Sequence, residues 1–148
     1  MTEQPHILIV EARFYEDIAD ELVAGAAATI EAAGGAVDRV SVPGAFEIPA
    51  AIAIAQHGAS PYDGYVALGC VIRGETSHYD YVCGESARGL QDLATGQRLA
   101  IGYGILTVET RDQAWARAAR DRGNKGAAAA EACLAMIALK ARFGADGR

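Results

Sequence analysis

The chain has no Cys-x-x-Cys pair, no run of Lys and Arg, no linker or repeat, and no apolar stretch long enough to cross a membrane. Each absence removes a class of function. Its three cysteines, Cys70, Cys83 and Cys133, are odd in number and far apart, which indicates neither a disulfide framework nor a zinc site. With 13 Lys and Arg against 19 Asp and Glu, the net charge is -6, so a nucleic-acid groove and an anionic membrane surface are both disfavoured. Small molecules or protein partners are left. The opening "MTEQPHILIV" lacks a basic region and carries only a short apolar run, so neither a signal peptide nor a spanning helix is expected and the cytoplasm is the expected location. At 148 residues, one domain over 1–148 with a proper core is the expectation.

What is present is alternation. Short β-branched runs at 6–10, 36–42, 65–72 and 99–108 are separated by Ala-rich segments of helical period at 16–33, 47–57, 77–93 and 111–121, with a last one at 126–143. Repeated β-α units of this kind build an α/β fold around a parallel sheet. Three of the strands are nearly continuous apolar runs, as strands covered on both faces should be. The first helix places Ile18, Leu22, Ala26 and Ile30 on one face and stops at Gly34-Gly35.

In an open parallel sheet, ligands bind beyond the carboxyl ends of the strands. The connections expected there read "EARFYED", "PGAFEIP", "RGETSHYD" and "ETRDQ", three of which combine aromatic, glycine and ionisable residues. The opposite-end connections, "AAGG" and "HGASPYDG", read as plain turns. Gly74 permits a sharp exit from the third strand, and the backbone N–H groups that follow open a helix at its positive end, where an anion can be held. Thr76 or Ser77 suits a helix cap, which alone would explain the local sequence. His78 falls in the first helical turn, a base beside an anion pocket. His57 before Gly58 suits a helix C-terminus, and His6 opens the first strand, so neither needs a function.

The segments "PGAFEIP" (43–49), "GCVIRGETSHYDYV" (69–82), "GILTVET" (104–110) and "QAWARAARDRGNKG" (113–126) together resemble the 6,7-dimethyl-8-ribityllumazine synthase family of riboflavin biosynthesis. The likeness spans nearly the whole chain in order and spacing. It implies a three-layer α/β/α sandwich with a flavodoxin-like, four-stranded parallel sheet. It also implies a transferase that joins 5-amino-6-(D-ribitylamino)uracil to 3,4-dihydroxy-2-butanone 4-phosphate, releasing phosphate and water without cofactor or metal. By the same resemblance Phe14 lies against the pyrimidine ring, Ala45, Phe46 and Glu47 hold the ribityl chain, and the backbone of Cys70, Val71 and Ile72 meets the polar edge of the heterocycle. Tyr103 closes over that heterocycle. Cys70 is not expected to act as a nucleophile.

The resemblance further implies that phosphate is held by the backbone at Glu75 and Thr76, with the Thr76 hydroxyl and the planar fork of Arg117, while His78 moves the protons. Lys125 either adds positive potential near the phosphate or favours the end of the preceding helix. Many family members carry Asn where this chain has Tyr15, which touches the rim contacts rather than the reaction. The family works as rings of five with active sites between neighbours, in some members as shells of sixty subunits, so a homopentamer is expected, with riboflavin synthase as a candidate partner. The Ala-rich last helix suits such packing, or simply covers its own sheet. Two other readings belong to different classes. A flavodoxin-like or receiver-type binding module shares the alternation, but a receiver wants an acidic pair where "VEARF" has only Glu11. A non-catalytic relative that binds lumazine or flavin, or only builds a shell, has no obvious need of His78 and Arg117.

Overall fold

Four parallel strands and five helices make up the computed structural model, which describes residues 4–59 and 62–145. In chain order they are β1 (His6–Ala12), α1 (Glu16–Ala32), β2 (Ala36–Val42), α2 (Ile48–Gln56), β3 (Gly64–Ile72), α3 (His78–Gln97), β4 (Ile101–Val108), α4 (Arg111–Ala118) and α5 (Lys125–Arg142). A 3-10 turn, Ala45–Glu47, leads into α2. The sheet order is β2-β1-β3-β4, every pair parallel, so the chain reverses direction of travel across the sheet after β2. That order is the doubly wound, flavodoxin-like arrangement, and its switch point lies between β1 and β3.

Alternation along each strand divides the core in two. Ile7, Ile9, Val66, Leu68, Cys70, Leu106 and Val108 face α1, α4 and α5. Leu8, Val10, Ala12, Tyr65, Ala67 and Ile105 face α2 and α3 through Ile48, Ile52 and Leu90. The three layers expected from the sequence are therefore present. Each fully buried Ile or Leu contributes roughly 1.5–3 kcal/mol, and β1 and β3 supply Ile7, Ile9 and Leu68 while α1 and α2 supply Ile18, Leu22, Ile30, Ile48 and Ile52.

The boundaries differ from the periodicity in instructive places. β1 extends two residues beyond 6–10, because Glu11 is drawn into the sheet by Arg13 and Arg39 instead of ending it. α3 runs four residues past 93 and stops where Arg98 adopts a left-handed conformation (φ 57°). α4 ends at Ala118, three residues before the expected 121, and a turn closes there through Arg122 N–H to Ala119 O. Part of the "HGASPYDG" turn, Ser60-Pro61, lies outside the described residues.

The alanine-rich α5 packs on the rest of its own chain at very short range. A Cβ at Gly102 of β4 would stand 1.9 Å from the Ala129 carbonyl oxygen, and one at Gly126 would stand 2.0 Å from that of Leu22 in α1. Small residues are thus needed on that side of α5, where Gly126, Ala129, Ala130 and Cys133 are buried. Towards its C-terminal end it carries exposed Met136, Leu139 and, just past that end, Phe143. Among the described residues no helix is long and apolar enough to cross a membrane.

Candidate active site

The connections at the carboxyl ends of β1, β2 and β3 converge on one groove of about 600 Å³. Phe14 and Tyr15 come from the first, Gly44 to Glu47 from the second, and Cys70 to Ile72 with Gly74, Thr76 and His78 from the third. Local chain behaviour explains the delivery. β1 ends at Ala12 and α1 starts at Glu16 with Tyr15 at its N-cap, leaving Phe14 in the middle of a three-residue link, 74% exposed and edge-on to Tyr15 at 4.9 Å. The 3-10 turn after β2 presents Phe46, 55% exposed, beside buried Ala45.

Below this link sits a buried charge. The Glu11 carboxylate is 1% exposed and accepts from Arg13 and twice from Arg39, at 2.6 and 3.0 Å. Burial alone would raise its proton affinity, but the Arg39 and then the Arg13 hydrogen bonds outweigh that and hold it below the usual carboxylate range. Arg13 also binds Glu16 and Asp20, so the residue before Phe14 is fixed by three carboxylates.

At β3 the strand gives way to exposed residues Gly74 to Ser77, and α3 begins at His78, which is also exposed. Thr76 is the capping residue: its hydroxyl accepts from the His78 N–H at 3.3 Å, whereas Ser77, at the N-cap position, makes no such bond. The His78 ring is exposed at the groove wall, and Tyr81 and Val82, three and four residues on, share its helix face and also line the groove. Arg73 lies outside the lining, with its Nε on Glu109 at 3.0 Å and its guanidinium over the Tyr79 ring at 4.3 Å. Burial pushes the Cys70 thiol up to about 11, so it is uncharged at neutral pH and a poor nucleophile. Burial also raises the Tyr15 phenol, with Cys70 adding to the shift.

Nine residues expected at the site line this groove together: Phe14, Ala45, Phe46, Glu47, Cys70, Val71, Ile72, Thr76 and His78. Four do not. Glu75 is exposed and absent from the lining, although its neighbours Gly74 and Thr76 belong to it. Tyr103 projects from edge strand β4 on the α3 side, 48% exposed, its phenol raised by burial and by neighbouring Cys83 and Tyr79. Arg117 stands exposed on α4, one guanidinium nitrogen donating to Gln113 O at 3.0 Å. Lys125 is the first residue of α5 rather than part of a turn, directly after Asn124, whose N–H donates to Ala119 O at the end of α4. Gly44, Tyr79, Tyr81 and Val82 were not expected in the lining. Spacing from His78 would have found the last two.

The other histidines are engaged in structure. His57 Nδ1 lies 2.9 Å from Ala53 O at the end of α2, and His6 pairs with Asp38 at 3.0 Å. Among the described residues no three His, Cys, Asp or Glu side chains gather as a metal cage.

Comparison with known proteins identifies the family. The sequence model described as 6,7-dimethyl-8-ribityllumazine synthase matches residues 4–141. A protein of that name from Bartonella tribocorum is 60% identical over 144 residues, covering 97% of this chain and 95% of its own. One from Bartonella bacilliformis is 61% identical over 141 residues, covering 95% and 93%. "6,7-dimethyl-8-ribityllumazine synthase 1" of Rhizobium meliloti is 61% identical over 145 residues, with 95% of each chain covered. Matches of this extent leave no segment of the groove outside the likeness, and the chain belongs to the 6,7-dimethyl-8-ribityllumazine synthase family.

Proposed function

We propose that the chain condenses 5-amino-6-(D-ribitylamino)uracil with 3,4-dihydroxy-2-butanone 4-phosphate to give 6,7-dimethyl-8-ribityllumazine, phosphate and water. The observation that carries this is the meeting of Phe14, the Ala45–Glu47 turn, the end of β3 and His78 in one groove of a chain of this family. Phe14 offers a ring face to the pyrimidine. The Cys70–Ile72 backbone meets the polar edge of that ring, and Glu47 accepts from ribityl hydroxyls. The helix start at Glu75 and Thr76 takes the phosphate.

The 5-amino group attacks the butanone carbonyl and loses water to form an imine. Phosphate then leaves, the resulting enol rearranges to a ketone, and the ribitylamino nitrogen closes the second ring with loss of a further water. His78 accepts and returns protons across these steps, help that is typically worth 10²–10⁴-fold, while holding two substrates together supplies much of the rest.

The electrostatics support a shared site. Among the described residues no Lys or Arg lines the groove, and Glu47 adds negative charge to it, so a phosphate dianion bound there meets no cationic side chain of the same chain. Arg73 is occupied by Glu109 and Asp80. Arg117 is exposed elsewhere, and Lys125 opens a helix, where the dipole disfavours a cation, so helix stability does not account for it. A neighbouring subunit that brings Arg117 and Lys125 to the groove completes it, and Tyr103 on the open face of β4 is available in the same way. We take the assembly to be a homopentamer.

Two impaired chains, compared at a butanone phosphate concentration below the raised KM, test both claims together. His78→Ala lowers turnover by about 10²–10⁴-fold without unfolding, since its ring is exposed and only its backbone bonds to Thr76. Arg117→Ala raises the KM for the phosphorylated substrate far more than for the pyrimidine. Co-refolding the two variants restores activity where an interface receives both intact residues. A fully active monomer, or no recovery despite confirmed co-assembly, refutes the shared site, and absence of lumazine absorbance from the wild-type chain refutes the reaction.

A further inference from the structure

We propose that Arg73 is a positioning residue for the segment Gly74–Ser77, holding the phosphate-binding backbone and the start of α3 in place without touching substrate; this rests on the reaction proposed above. The segment has little of its own to hold it. Within one chain Gly74, Glu75, Thr76, Ser77 and His78 are all exposed, so the chain's own apolar core does little to offset the entropy of keeping them in one conformation. An anion site made of backbone N–H groups works only if those groups stay aimed at one point.

Arg73 bridges both ends of the segment. Its backbone N–H donates to Val108 O at 3.0 Å, which ties the end of β3 to β4. Its Nε reaches both Glu109 oxygens, at 3.0 and 3.2 Å, and a terminal nitrogen lies 3.5 Å from Asp80. The guanidinium plane also rests 4.3 Å from the centroid of Tyr79. Tyr79 and Asp80 belong to the first turn of α3, directly after His78, so the side chain spans from the strand end over the segment to the helix start. Glu109 is itself anchored: its N–H donates to Gln113 Oε1 at 2.7 Å, and Thr110 caps α4 by accepting from Gln113 N–H at 3.2 Å.

A planar, forked cation can pair with two carboxylates and stack on a ring at once, whereas an ammonium can do only one of these well. Because Arg73 is engaged by two carboxylates and lies outside the groove lining, it acts through the segment and not as a phosphate ligand.

The test compares Arg73→Ala, Arg73→Lys, Glu109→Gln and the double variant Arg73→Ala/Glu109→Gln. Both substrates are varied, and inorganic phosphate is added as a competitive inhibitor. Misplacement of the segment should raise the KM for the butanone phosphate, and the inhibition constant for inorganic phosphate in parallel, by about ten- to a hundredfold, with the pyrimidine KM moving less than about twofold. Arg73→Lys should fall between wild type and Arg73→Ala, and the double variant should be no worse than Arg73→Ala, since the two residues act as one unit. Unchanged kinetics, equal rises in both KM values, or additive losses in the double variant overturn the proposal. If Arg73→Ala does not fold, Arg73→Lys and Glu109→Gln carry the same comparison. An inactive wild-type chain overturns the reaction itself, whereas an active wild type with unaffected variants overturns only the role of Arg73.

Discussion

Replacing Glu11 with Gln removes one negative charge from the least exposed carboxylate of the described fold and keeps its shape. In the native chain that carboxylate is 1% exposed and accepts from both Arg13 and Arg39. Taking one partner from a buried charge pair costs about 3–5 kcal/mol when the other is stranded. Here the stranding is partial, because Arg39 is half exposed and Arg13 keeps Glu16 and Asp20. The expected loss is therefore about 2–3 kcal/mol, which at this chain length lowers Tm by roughly 5–10 °C. Differential scanning fluorimetry at matched protein concentration reads it, so that any concentration dependence of Tm is held fixed. Acid supplies the second reading. The folded-state affinity of Glu11 for protons is depressed, so its contribution is present above the ordinary carboxylate value of 4.5 and is lost as pH falls through the lower folded value. The gap between wild type and variant should thus be full at neutral pH and shrink once the pH goes below about 4.5. A variant within a degree of wild type at pH 7, or a gap that stays constant on acidification, would refute the account of Glu11 as a paired buried charge.

Two further changes probe the groove and the core separately. Phe14→Ala should leave Tm within about a degree, because the ring is 74% exposed, yet weaken the pyrimidine substrate by roughly three- to tenfold, as loss of one aromatic stacking contact implies; an unchanged pyrimidine KM would remove Phe14 from the binding surface. Gly126→Ala should do the reverse, since the new methyl would stand 2.0 Å from the Leu22 carbonyl oxygen and force α5 away from α1, costing about 1–3 kcal/mol or more. Chemical denaturation that found this variant as stable as wild type would show the contact to be soft.

The layers of the fold were legible because they rest on periodicity, which single residues cannot easily disguise. β1 and β3 are apolar at nearly every position since both of their faces are covered, and all of the described strands and helices coincide with segments marked out by pattern. Errors fell where a long-range partner changes the meaning of a residue. Glu11 looks like the polar end of a strand until Arg39, 28 residues away, neutralises it. The small residues of α5 fit either an interface with another copy or cover for the chain's own sheet, and the close approach of β4 and α1 accounts for the buried ones. Neither distance is encoded in local spacing.

The groove was legible to the extent that its residues sit at strand ends on short connections, where order in the chain nearly determines position in space. Phe14, the 45–47 turn and the 70–78 stretch follow three adjacent strands, so the parallel sheet itself gathers them. Tyr103, Arg117 and Lys125 obey no such rule. β4 is an edge strand whose Tyr103 stays 48% exposed, and α4 and α5 pack on the face opposite α2 and α3. Nothing in one subunit's topology carries those three into the lining. Spacing alone therefore leaves Arg117 an ordinary surface arginine; a phosphate needs a cation, and the groove's own lining has none among the described residues. The charge that the chemistry demands and the chain's own groove withholds is the physical reason to look for it on a second copy, and it makes recovery of activity by mixed His78→Ala and Arg117→Ala chains the outcome on which the shared site stands or falls.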